Sequence, residues 1–140
     1  MNEHQVALVQ TTWEQVVPIA DTAAGLFYDR LFALAPQVRP LFADDLTEQR
    51  QKLVQMITTV VRSLDRLERV VPAVQALGRR HVAYGARPEH YDVVGAALLW
   101  TLEQGLGEAW TGEAEAAWAE AYSVLAGTMS AAAAETAEAA

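Results

Sequence analysis

The 140-residue sequence predicts an all-α fold of six long helices with one or two short ones between them. Three observations predict it. Apolar residues recur three and four positions apart in every segment, the spacing of one helix face. Proline and glycine interrupt that pattern at a handful of places and divide it into helix-length stretches. No alternation of the kind that marks a strand survives beside it.

In the first stretch Val6, Val9, Trp13, Val16 and Val17 form one face, and Pro18 ends or bends it. The second carries Ala24, Phe27, Tyr28, Leu31 and Phe32 and stops at Pro36, where a short helical turn leads to Leu41 and Phe42. Asp45-Leu46-Thr47-Glu48 has the spacing of a capping box with Asp as cap. It opens a long helix with Leu53, Met56, Ile57, Val60, Val61 and Leu64 inward. Pro72 suits the first turn of a fourth helix, which presents Val74, Leu77, Gly78 and His81. The run Tyr84-Gly85-Ala86-Arg87-Pro88 breaks it, with Gly85 as C-cap. Pro88 opens a fifth helix with Tyr91, Val94, Gly95, Leu98 and Leu102 inward, closed by Gly105 and Gly107. Thr111 caps the sixth, whose stripe is Trp118, Tyr122, Leu125 and Met129. From Ser130 the chain is mostly alanine and extends that helix as a fraying tail. Trp100 and Trp110 are the candidate exposed aromatics.

The length fits one domain over residues 1–140. Ten basic residues against 18 acidic ones give a net charge of −8, which argues against a nucleic-acid surface. With 52% hydrophobic residues the chain has material for a core. The lack of cysteine excludes disulfides, thiolate-bound metal and thiol nucleophiles. No apolar run approaches the ~20 residues of a membrane span. The polar start lacks a basic targeting region, so a cytoplasmic protein is expected.

Three predicted helices each place one polar side chain inside an apolar stripe: Tyr28, Gln49 and His81. One reading is three core side chains with satisfied hydrogen bonds. The other is a cofactor site. His4, His81 and His90 do not pair at i, i+3 or i+4, so a protein-built zinc or di-iron site is not expected. Haem brings four nitrogen ligands and asks the chain for one, which a single inward histidine supplies. Gly78, one turn before His81, suits either a flat ligand or a close helix neighbour. Phe42 suits either a planar ring or the core. Lys52 and Arg80 suit either carboxylates at a cofactor edge or a solvated surface.

The order of these residues resembles bacterial single-domain haemoglobins and the globin domain of flavohaemoglobins. The cues are Phe27-Tyr28 with Leu31-Phe32 and Pro36; Val38-Arg39-Pro40-Leu41-Phe42; Gln49 with Leu53; Leu77-Gly78-Arg79-Arg80-His81; His90-Tyr91 with Val94-Gly95; and Ala117-Trp118 with Ala121-Tyr122. In character the chain is similar to the Tyr/Gln-pocket globins of extremophile methanotrophs. The resemblance implies a globin fold around haem b, with His81 as the iron ligand, its second ring nitrogen bonded to the Leu77 carbonyl, and Phe42 on the haem face. It implies Tyr28 and Gln49 as donors to a bound gas. Leu53, Val94 and Leu98 become the apolar wall, Tyr91 the tyrosine beside His81, and Lys52 and Arg80 the cofactor edge. The implied partners are O₂, NO and CO, for reversible binding, O₂ capture or NO dioxygenation. No flavin or nicotinamide domain follows, so turnover calls for a separate reductase. Flavohaemoglobins place a glutamate late in the last helix; here that position falls near Ala133, with Glu135 two residues away. Enzymatic activity therefore stays open. A sensor or interaction module on a globin fold is the alternative.

Overall fold

A computed structural model describes residues 1–83, 85, 87 and 89–139. Among them stand six α-helices: α1 (Glu3–Val16), α2 (Ala20–Leu34), α3 (Thr47–Arg62), α4 (Val71–Ala83), α5 (His90–Leu106) and α6 (Gly112–Ala139). Four short 3₁₀ segments join them, at Val17–Ile19, Pro36–Leu41, Leu64–Arg69 and Gly107–Ala109, where one or two were expected. Two of these follow directly from proline. Pro18 and Pro36 lack the N–H that would continue an α-ladder, and the chain tightens instead.

The ends show where local chemistry overrode the sequence pattern. Asn2 and Gln5 form a capping box that the polar N-terminus did not advertise, with Asn2 Oδ1 accepting from Gln5 N at 2.8 Å and Gln5 Oε1 from Asn2 N at 3.1 Å. The box expected at Asp45 does not form. Asp45 Oδ1 instead accepts from Thr47 N at 2.9 Å and Thr47 Oγ1 at 2.8 Å. A donor two residues away closes a local turn before the carboxylate can reach Glu48, which pairs with Lys52. Those hydrogen bonds hold the Asp45 carboxyl below its usual pKa. Helix α5 runs through Gly105 and ends only at Gly107, whose φ of 53° suits glycine alone. Thr111 Oγ1 accepts from Ala114 N at 3.1 Å and caps α6. Gly85, at φ 93°, turns the chain after α4, while Tyr84, Ala86 and Pro88 of the predicted break lie outside the described residues.

Two apolar clusters make the core. The first gathers Val9, Trp13, Val16, Val61, Leu102 and Trp118 from α1, α3, α5 and α6. The second gathers Phe27, Tyr28, Leu31, Val38 and Ala97 at the α2–α5 side. Leu53 and Leu98 pack against both. The buried indoles are satisfied: Trp13 Nε1 donates to Thr58 Oγ1 at 3.0 Å, and Trp118 Nε1 to Thr12 Oγ1 at 2.9 Å. Beside the first cluster, toward α4, lie two adjoining and partly open apolar hollows of about 30 and 60 Å³, both lined by Val60, Leu64, Ala121 and Leu125. Trp100 and Trp110 are half-buried and not exposed. The Arg30 guanidinium covers Trp100 at 4.9 Å, and Trp110 packs on the first cluster. No described helix is long and apolar enough to cross a membrane.

Candidate functional site

Helices α2 and α3 bring Tyr28 and Gln49 together. Tyr28 is 3% exposed, and Gln49 Nε2 donates to its hydroxyl oxygen at 3.1 Å. Aromatic rings surround the phenol: Phe27 edge-on at 5.0 Å, Phe32 stacked at 6.0 Å and Phe42 edge-on at 5.6 Å. Burial raises the Tyr28 pKa, and the Gln49 amide offsets part of the rise by favouring the anion. The phenol is therefore neutral at ordinary pH and keeps its proton. Because Gln49 already donates to the oxygen, that proton is directed at a different acceptor. The pair reads as a relay, in which Gln49 orients Tyr28 and Tyr28 donates.

His81 stands on α4, half-buried, with Nδ1 2.7 Å from the Leu77 carbonyl one turn back. A carbonyl only accepts, so Nδ1 carries the hydrogen and the neutral ring holds its lone pair on Nε2. That is the tautomer a metal requires of an imidazole whose other nitrogen is hydrogen-bonded. Helices α3 and α4 have different supports. The first packs mainly on α2 and α1, the second mainly on α6, and both touch the 64–69 segment. Among the described residues no group of three or more His, Cys, Asp or Glu side chains could hold a metal ion. A lone imidazole with Nδ1 engaged on its own helix is a donor set that fits haem, which needs one axial ligand from the chain.

The remaining predicted residues divide. Phe42 and Val94 pack on the cluster that holds Tyr28, and Leu53 and Leu98 join that cluster to the larger core. Tyr91 is half-buried, which raises its pKa, and its backbone carbonyl accepts from Tyr122 Oη at 2.5 Å. Burial, together with the charges of Tyr91 and Asp92, pushes the Tyr122 pKa well up. Gly78 serves helix packing: a β-carbon there would meet the Met129 carbonyl oxygen and stand 2.7 Å from Met129 Cα. Of the two readings of Gly78, the close helix neighbour is the one observed, and that neighbour is α6. Lys52 and Arg80 are exposed, and Lys52 Nζ lies 3.4 Å from Glu48. Ala133 is half-buried and Glu135 exposed, so the carboxylate expected of flavohaemoglobins is not in that place. Sequence reasoning passed over Phe32, which the one-turn spacing from Tyr28 signals, and Arg39, which nothing in the pattern signals.

The globin family profile matches residues 25–129. The chain is 30% identical to a flavohemoprotein of Bacillus subtilis over 131 residues, which are 90% of this chain and 32% of that one. It thus spans about a third of the length of such relatives. A globin-like protein of Aquifex aeolicus is 32% identical over 92% of this chain and 91% of its own. Among solved structures, an engineered carbene transferase, provisionally described as a nitric oxide dioxygenase of Rhodothermus marinus, superposes with a TM-score of 0.89. It is 25% identical, and the match covers 99% of this chain and 97% of that one.

Proposed function

The chain belongs to the globin family, and on that premise we propose that it holds haem b on His81 and reversibly binds a diatomic gas, O₂ foremost, with NO and CO as further ligands. Haem supplies an iron whose open position takes the gas. The chain supplies the rest. His81 offers Nε2, held in register by the Leu77 carbonyl. Tyr28 offers one hydrogen-bond donor, which the Gln49 amide orients. The apolar side chains of Leu53, Phe42, Val94 and Leu98 keep water out, and there a hydrogen bond to a polarised ligand gains strength. The pair of buried Tyr28 and half-buried Gln49 carries this reading, because a neutral donor enclosed by phenyl rings favours a ligand that gains negative charge over one that does not.

The same donors suit NO dioxygenation, and here the flavohemoprotein and the Rhodothermus protein supply the analogy. That use requires electrons from a reductase. A single domain in a cytoplasmic setting belongs to the same reading. A purified red protein with a Soret band is the expected result, and a colourless one that takes up no haem overturns the proposal. Tyr28→Phe keeps the ring and removes only the donor. It should speed O₂ release by about one to two decades, the worth of ~1.5–3 kcal/mol for a bond to a charged acceptor, and barely alter CO release. Stopped-flow dissociation of both gases checks this. An O₂ off-rate within twofold of the unsubstituted protein refutes the donor role.

A further inference from the structure

Phe42 is the one proposed pocket residue outside a helix. It begins the non-helical stretch 42–46 between the Pro36–Leu41 turn and α3. Backbone carbonyls in such a stretch lack ladder partners and must find others. One side chain gathers three of them. Arg39 Nη1 donates to the Ala43 carbonyl at 3.0 Å and, at the long limit of 3.5 Å, to that of Phe42; Nη2 donates to the Asp44 carbonyl at 3.1 Å. The Phe42 amide returns a bond to the Arg39 carbonyl at 3.1 Å. The same guanidinium stands 5.0 Å above the Phe32 ring, and Phe32 packs on both Phe42, at 5.4 Å, and Tyr28. A planar fork with donors on two sides and a face for an aromatic ring can make these contacts at once, and an ammonium cannot.

We propose that Arg39 is a positioning residue for the gas-binding pocket: by pinning carbonyls 42–44 and covering Phe32, it fixes two of the phenyl rings packed on Tyr28, namely Phe32 and the proposed haem-face ring Phe42. This rests on the haem reading above. Arg39 touches neither the gas nor the proposed iron ligand. Its effect passes through Phe42 and Phe32, so a loss of Arg39 should loosen the pocket without removing any donor to the ligand.

The test uses the full chain with Arg39→Met, which keeps the aliphatic stem, Arg39→Lys, which keeps the charge, and Arg66→Met as a control on the remote 64–69 segment. Three quantities are read. They are amide hydrogen exchange at Phe42, the rate of haem transfer to an excess of an apo-globin acceptor, and the CO stretching band of the CO-loaded protein. Arg39→Met should speed both the exchange and the haem loss about tenfold, the worth of one charge-assisted bond, and broaden the CO band. Arg39→Lys should fall between, and Arg66→Met should match the unsubstituted chain. Exchange and haem loss within twofold of the unsubstituted chain overturn the role of Arg39. So does a lowered melting temperature with an unchanged CO band, which marks a merely structural contact. Failure of the unsubstituted chain to take up haem overturns the haem reading itself, and this one with it.

Discussion

Thr12 shows how much one hydroxyl carries. Its Oγ1 donates back to the Leu8 carbonyl at 2.6 Å and accepts the indole N–H of Trp118, which is 3% exposed. Replacing Thr12 by valine keeps the shape and leaves that N–H buried with no acceptor. The expected loss is ~1–3 kcal/mol, whereas Thr12→Ser restores most of it. Denaturant titrations of the two variants decide the matter, and equal midpoints would show that water takes the place of the hydroxyl. Tyr28, Gln49 and His81 stood out in the sequence for the same physical reason, since a polar group on an apolar stripe demands a partner. Their partners were legible to different degrees. The Leu77 carbonyl lies one turn from His81 on the same helix and follows from local geometry, given the resemblance. The Gln49–Tyr28 bond joins two helices, and its direction depends on how they are spaced. Arg39 was not legible at all, because its acceptors lie on a loop whose path no periodicity describes.

At the scale of helices, two glycines make opposite forecasts. Gly78 on α4 presses against the backbone of α6 at Met129, so Gly78→Ala forces the helices apart and should cost ~1–3 kcal/mol. Gly127, on α6, has open space where a β-carbon would go, so Gly127→Ala should stabilise by ~0.5–1 kcal/mol through the helix preference of alanine. Thermal melts of the pair should move in opposite directions, and a fall for both would show that α6 tolerates no stiffening. The six long helices were readable because each buries a stripe over several turns. Their ends were not, since caps are settled by donors one or two residues away. Asp45 with Thr47 overruled the capping-box spacing, and Asn2 with Gln5 built one unannounced. Gly105 stayed helical, and α5 ends where Gly107 takes a positive φ.

For the whole molecule, burial of the Tyr28 and Tyr122 phenols makes stability depend on alkaline pH. Both pKa values are raised above the ordinary tyrosine value of about 10. The folded chain thus holds these protons more tightly than the unfolded chain does. Their contribution is intact below pH ~10 and is lost above it, at no more than ~1.4 kcal/mol per pH unit for each group. Melting temperatures should stay level up to about pH 9.5 as far as these groups are concerned, then fall, and Tyr122→Phe should make the fall shallower. A slope unchanged in that variant would assign the loss to other groups. The two adjoining hollows among Val60, Leu64, Ala121 and Leu125 carry another consequence. Water fills such narrow apolar hollows poorly, so unfolding releases unused space and the protein–water system then occupies less room. Hydrostatic pressure is therefore a denaturant for this chain, and its strength scales with the emptiness it removes. Ala121→Val adds two methyl groups at the shared wall and should shrink the volume change of unfolding, read from tryptophan emission in a pressure cell. The pair of indoles Trp13 and Trp118, with ring centroids 6.0 Å apart in the cluster beside those hollows, reports the compression from within.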